Sequence, residues 1–138
     1  MNIEDCFREG LLKKIEPSME KATRSIDMAE EYIKMAKDNL DIENYPLVIF
    51  CSYIAMFHSA RGILYKDGVK ERSHACIGIY IREKYPAYRE LANIFDSYRK
   101  SRHTTLYSLG YLITEEDAEK AIRDAEYFLE IVKGIIKC

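Results

Sequence analysis

The sequence predicts an all-α protein, an up-down bundle of four main helices with one or two short helices. Apolar residues recur at helical spacings of three and four along most of the chain. Only six glycines and three prolines interrupt its 138 residues, so helices can run long. The segments between the helices are short, which favours antiparallel neighbours. The length suits a single domain covering residues 1–138.

The N-terminal region predicts a short helix followed by a long one. Residues 1–12 show a short amphipathic helical pattern, which ends before Pro17. From Ser18 to Asp41, spacings of four and three alternate and place one apolar stripe on one face of a helix. The stripe consists of Ala22, Ile26, Ala29, Ile33, Ala36 and Leu40.

The third helix is expected to begin at 44–46 and to end at Gly68, because glycine can take a positive φ there. It is apolar nearly all round, which is typical of the central helix of a bundle. His58 and Arg61 interrupt its apolar stretch, and they favour a buried core helix over a membrane span. The acidic first ten residues lack the apolar run of a signal peptide. We therefore expect no membrane association.

The C-terminal half predicts three more helices. Ser73 is expected to cap a short helix that runs to Lys84, with a strand as the alternative because of its β-branched residues. Pro86 separates this helix from another over about 88–107. Thr114 then precedes acidic residues that suit the first turn of the last helix, which runs to about residue 135.

Charge and cysteine content restrict the possible function. The net charge is −2, which is not typical of a dedicated polyanion-binding domain but leaves room for a local basic patch. Three histidines without metalloenzyme spacing predict no metal and no other cofactor. The cysteines form no Cys-x-x-Cys pair, and we expect free, buried thiols in a cytoplasmic protein. They are Cys6, Cys51, Cys76 and Cys138.

Two groups of polar residues are candidates for a functional site, and the first interrupts the most apolar helix. His58 and Arg61 are three residues apart and are therefore neighbours on one face of that helix. Either they face a hydrated cleft, or Arg61 pairs with a carboxylate and His58 is a hydrogen-bonded core residue. The sequence leaves both interpretations open.

The second group lies near the end of the fifth predicted helix. Arg99, His103 and Tyr107 follow one another at spacings of four, so they share one face, with Arg102 beside them. A neutral histidine can accept the proton of a 2′-hydroxyl, and arginine can stabilise charge on a phosphate. This pattern predicts metal-free RNA cleavage, with a solvated basic turn as the alternative. His74 is a candidate to approach this face from a neighbouring helix.

In their order along the chain, these segments resemble the HEPN family of prokaryotic helical proteins. The resemblance covers nearly the whole chain and implies a bundle of four to five helices, commonly a homodimer. It also implies one of two functions. The first is a metal-independent ribonuclease that acts as a toxin, and the second is a non-catalytic module that partners a small nucleotidyltransferase antitoxin or binds a nucleotide. The segments that resemble the family are 7–14, 53–61, 70–74, 98–103 with Tyr107, and 114–118.

For the ribonuclease class, the resemblance implies an arginine and a histidine on one helix, with four to six residues between them, that meet across a dimer interface. Here only three residues separate Arg99 from His103, which keeps the two side chains one helical turn apart. For members whose partner enzyme modifies a tyrosine, the resemblance implies a His-x-Tyr arrangement. The spacing from His103 to Tyr107 differs from it. Arg99 and His103 are the catalytic candidates. Candidates for binding RNA or a nucleotide are Arg102, Arg61, His58, His74 and Tyr107.

Overall fold

The computed structural model describes residues 1–107 and 112–137, with the backbone alone over 102–107. The described part is almost entirely helical, which confirms the predicted fold class. A 3₁₀ turn at Pro86–Tyr88 and one antiparallel pair of short strands, β1 (Leu12–Lys14) and β2 (Val69–Glu71), accompany the helices. The helices are α1 (Ile3–Arg8), α2 (Met19–Asp41), α3 (Tyr45–Asp67), α4 (His74–Lys84), α5 (Arg89–Tyr107) and α6 (Glu115–Lys137).

Helix α3 lies at the centre of the fold and packs against α2, α5 and α6. Its length and hydropathy alone would suit a membrane crossing, but 67% of its apolar stretch is buried inside the protein. We therefore assign α3 to the core, as the sequence predicts. Ala22, Ala29 and Ala36 of α2 are completely buried. Their small side chains let the α2 backbone lie close to α3 along its length.

The ends of the helices follow the predicted local signals. The side chain of Ser18 accepts a hydrogen bond from the backbone of Lys21, and Ser73 accepts one from Cys76 in the same way. Thr114 and Asp117 exchange reciprocal side-chain and backbone hydrogen bonds at the start of α6. These bonds satisfy backbone donors that the first turn of a helix leaves unpaired.

The predicted helix over residues 1–12 is too long, because α1 ends at Arg8. Gly10 has φ of +74°, a left-handed conformation that stops the helix and turns the chain into β1. Leu12 is 1% exposed and pairs with Glu71 of β2 rather than extending α1. The sequence predicted neither strand, because each is three residues long and its partner is distant in sequence.

The expectation of free cysteines is wrong for two of the four. Cys6 of α1 and Cys76 of α4 form a disulfide whose Cα atoms are 6.0 Å apart. Both residues are fully buried, because α1 packs directly on α4. Cys51 is a free, buried thiol as predicted, and burial raises its pKa. Cys138 lies outside the described residues.

Asp67, the last residue of α3, holds α4 in place. Its Oδ2 accepts hydrogen bonds from the hydroxyls of Tyr80, at 2.8 Å, and Tyr85, at 2.7 Å. Burial raises the pKa of both tyrosines, and the Asp67 carboxylate raises it further, so both hydroxyls keep their protons. Helix α4 is therefore fixed by hydrogen bonds near its C-terminal end as well as by the disulfide.

Removing the disulfide should lower the free energy of unfolding by about 4 kcal/mol, because the bond closes a long loop in the unfolded chain. The two cysteines are separated by 70 residues. Urea unfolding of Cys6→Ala/Cys76→Ala and of the wild type, with and without reductant, measures this difference. Reductant should destabilise the wild type and the control Cys51→Ala, and it should leave the double variant unchanged. A wild type that is equally stable in reductant would contradict the prediction.

Candidate functional site

Arg99 lies on α5 in an ion pair within its own helix. Its Nε is 3.3 Å from Oδ1 of Asp96, one turn earlier. The other carboxylate oxygen, Oδ2, lies 3.1 Å from a guanidinium nitrogen of Arg82 on α4. The Asp96 side chain is 18% exposed, so solvent screens these pairs only in part. Because two guanidinium groups share one carboxylate, the cluster of Arg82, Asp96 and Arg99 keeps a net positive charge where α4 meets α5.

Gly78 makes this arrangement possible. A Cβ built on Gly78 would lie 2.6 Å from Oδ1 of Asp96, which is closer than real side chains approach. The absence of a side chain at this position lets the carboxylate lie directly against α4. The carboxylate is thereby placed between the guanidinium groups of Arg82 and Arg99.

Arg82 and Asp96 are site residues that the sequence did not predict. Gly78 and Arg82 are four residues apart and share one face of α4. Asp96 precedes Arg99 by three residues, which is the spacing of an ion pair within a helix. These two spacings could have indicated Arg82 and Asp96 from the sequence. Neither spacing shows that α4 packs against α5 at this point.

The side chains of Arg102, His103 and Tyr107 lie outside the described residues. Their backbone belongs to α5, which continues to Tyr107. Positions 99 and 103 are therefore one helical turn apart, as the sequence predicts. Tyr98, the neighbour of Arg99, faces α6, because its hydroxyl is 2.5 Å from Oδ2 of Asp124 on that helix.

His74 is the first residue of α4 and packs among aromatic side chains. Its Nδ1 lies 2.5 Å from the hydroxyl of Tyr53, and its ring stacks on Phe57 at a centroid distance of 4.3 Å. Its ring centroid is also 6.4 Å from that of Phe95 on α5. Helices α4 and α5 run antiparallel because only a short turn joins them. This register places His74 near the turn of α5 that follows Phe95 and includes Arg99.

Arg61 pairs with a buried carboxylate, which was one of the two interpretations that the sequence left open. Its Nε lies 3.1 Å from Oε1 of Glu71, a residue that is 8% exposed. The pair is held by charge, because the angle at Nε is not that of a hydrogen bond. Another guanidinium nitrogen donates a hydrogen bond of 2.5 Å to the hydroxyl of Tyr65.

His58 is an aromatic packing residue rather than a charged one. Its ring stacks on Tyr32 at a centroid distance of 5.5 Å and lies 5.3 Å from the ring of Phe57. Burial lowers the pKa of His58, and the positive charge of Arg61 lowers it further, while Glu71 opposes both effects. The imidazole is therefore neutral at neutral pH.

Phe57 connects three of the predicted site residues. His58 and His74 contact its ring, and the guanidinium carbon of Arg61 is 5.3 Å from the ring centroid. The structure thus brings His58, Arg61 and His74 together around one phenyl ring. Arg99 lies in a separate cluster with Asp96 and Arg82.

Known proteins resemble this chain in sequence over most of its length. A family model described as "HEPN domain" matches residues 22–135. The chain belongs to the HEPN domain family. Two similar proteins come from Methanocaldococcus jannaschii. "Putative toxin MJ0605" is 28% identical to this HEPN protein over 120 residues, and "Putative toxin MJ1304" is 25% identical over 130 residues. Each alignment covers 81% of this chain and 86% of the relative.

Gly78→Ala should destabilise the HEPN protein by about 1–3 kcal/mol, because the new methyl group forces Asp96 away from α4. Urea unfolding of Gly78→Ala, Asp96→Ala and the double variant forms a cycle that isolates this contact. The cost of Gly78→Ala should shrink in the Asp96→Ala background. An equal cost in both backgrounds would show that the close approach is unimportant.

Arg61→Ala should destabilise the protein by about 3 kcal/mol, because it leaves the buried carboxylate of Glu71 without its closest cation. Adding Glu71→Gln should recover part of the loss, since a neutral amide is easier to bury. Arg24→Ala is the matched control, because the Arg24–Glu20 pair is exposed and should contribute little. Thermal or urea unfolding that finds Arg61→Ala as stable as Arg24→Ala would refute the prediction.

Proposed function

We propose that this HEPN protein is a metal-independent endoribonuclease of a toxin–antitoxin or defence system. The observation that carries the proposal is the position of Arg99, one turn before His103 on α5, with its guanidinium fixed by Asp96. The names of the two archaeal relatives, which describe them as toxins, support the same assignment. Arg82 adds a second guanidinium to this surface, which suits a phosphate ligand.

In the proposed reaction, His103 accepts the proton of a ribose 2′-hydroxyl, and the resulting oxygen attacks the adjacent phosphorus. The bond from phosphorus to the 5′-oxygen breaks, and a protonated imidazole returns a proton to that oxygen. The products are a 2′,3′-cyclic phosphate and a 5′-hydroxyl. Arg99 and Arg102 stabilise negative charge on the phosphate in the transition state.

We further propose that the active form is a homodimer in which two copies of α5 contribute to one cleft. Two copies of His103 would then serve as general base and general acid on one phosphate. His74 and Tyr107 are proposed to bind the RNA beside this cleft, together with the Arg61 and His58 group. We propose that the protein is cytoplasmic, because its proposed substrate is there. The cysteines do not support this location, since two of them form a disulfide.

A second candidate function is a non-catalytic HEPN module that binds a nucleotide or partners a small nucleotidyltransferase. The observation that favours it is the ion pair of Arg99, because Asp96 already compensates part of the charge that a phosphate would need. Such a module would bind its ligand and leave RNA intact. The cleavage experiment below separates the two candidates.

The purified protein should cut single-stranded RNA in the presence of EDTA and leave cyclic phosphate ends, which mass spectrometry of the products detects. His103→Ala should reduce the rate by at least about 100-fold, because it removes general acid–base catalysis. Arg99→Ala should also reduce the rate, whereas Lys84→Ala, an exposed cation on α4, should retain it. Full activity in His103→Ala would eliminate this mechanism, and intact RNA with every protein would favour the binding module.

A further inference from the structure

A cationic cavity lies between α2 and α3, apart from the Arg99 cluster. Its volume is about 270 Å³, and its lining includes Lys21, Arg24, His58, Arg61 and Tyr65. We call it the Tyr65 pocket. This pocket is open to solvent, because Lys21 and Arg24 are exposed residues of α2.

Three cations surround the ring of Tyr65. The guanidinium carbon of Arg61 lies 5.2 Å from the ring centroid, and the Nζ atoms of Lys70 and Lys21 lie 5.7 and 5.8 Å from it. The Tyr65 hydroxyl accepts hydrogen bonds from Arg61 and, at 3.3 Å, from Lys70. Cations that converge on one ring repel each other, so an anion between them is stabilised.

Carboxylates compensate only part of this charge. Glu71 lies near Arg61 and, at 3.6 Å, near Lys70. Glu20 forms an exposed pair with Arg24. Lys21 has no ion-pair partner among the residues that the structure describes. His58 adds no charge at neutral pH, because burial lowers its pKa. The pocket therefore keeps a net positive charge in a protein whose overall charge is −2.

The Arg61 guanidinium is held in place before any ligand arrives. Glu71 fixes one nitrogen, Tyr65 fixes another, and the ring of Phe57 lies 5.3 Å from the guanidinium carbon. A preorganised cation loses little entropy when it binds an anion. The same Phe57 ring stacks on His74, which lies near the start of the Arg99 turn of α5. A chain of ring contacts through Phe57 and His74 thus connects the Tyr65 pocket with α5.

We propose that the Tyr65 pocket binds a phosphate group of a single-stranded RNA whose neighbouring nucleotides extend towards α5. The proposal rests on the proposed ribonuclease function, since RNA is the polyanion of that reaction. Lysine and arginine are the usual phosphate ligands, and a strand held at two points binds more tightly than at one. Lys21 and Arg61 bind the phosphate, and Lys70 and Glu71 position the guanidinium.

The test measures RNA binding without cleavage. Every protein carries His103→Ala, and fluorescence anisotropy with a short labelled single-stranded RNA gives Kd at several salt concentrations. Lys21→Glu should raise Kd by about tenfold and reduce the slope of log Kd against log salt by about 0.7, the value for one phosphate contact on a single strand. Lys21 is exposed, so this variant should fold normally.

Lys34→Glu is the matched control, because Lys34 is an exposed lysine of α2 outside the Tyr65 pocket. It changes the net charge equally and should leave Kd within about twofold of the parent protein. Equal weakening by both variants would overturn the proposal, since it would reflect overall charge. An unchanged Kd in Lys21→Glu would overturn it as well.

Two further measurements separate this proposal from the ribonuclease assignment. Cleavage by the protein that retains His103, together with an unchanged Kd in Lys21→Glu, would leave the ribonuclease and remove the pocket. Binding that depends on Lys21 without any cleavage would leave the pocket and remove the ribonuclease. AMP is the probe for a free nucleotide. If Lys21→Glu weakened the binding of AMP but left the binding of RNA unchanged, the RNA assignment would be overturned.

Discussion

Helix α3 has no continuous polar face, and this constraint determines the arrangement of the rest of the protein. Every long helix that contacts α3 covers one part of it, and the alanine stripe of α2 covers the longest part. Burial of its apolar side chains stabilises the fold, because apolar area removed from water is the dominant favourable term in folding. The charged residues and the histidine of α3 are restricted to its second half, where His58 and Arg61 face α2 and β2.

Two carboxylates orient three arginines of the protein on two surfaces. Asp96 holds Arg82 and Arg99 where α4 meets α5, and Glu71 holds Arg61 beside α2. In each case a partly shielded acid lies beneath the guanidinium groups, so the arginines are oriented by the protein rather than by solvent. The formal net charge of −2 conceals both surfaces, because most acidic side chains lie elsewhere on the exposed helical faces.

The sequence predicted those features that depend on neighbouring residues. The caps at Ser18 and Ser73 and the apolar face of α2 follow from spacings within one or two helical turns. The pairing of β1 with β2 and the Cys6–Cys76 bond did not follow, because α2 and α3 separate the partners in the sequence. For the same reason the sequence proposed Arg99 as a site residue but missed Arg82, which belongs to another helix.

The position of the disulfide also gives the protein a mechanical polarity. Tension applied at the N-terminus passes through Cys6 directly into α4, and the α2–α3 hairpin lies inside the closed loop and carries none of it. An unfolding machine that grips this end would have to extract α4 before it reached the central helix. Tension at the other end meets α6 first, which no disulfide between described residues ties to the remaining helices. The two ends therefore resist force by different means, one through a disulfide bond and the other through non-covalent contacts.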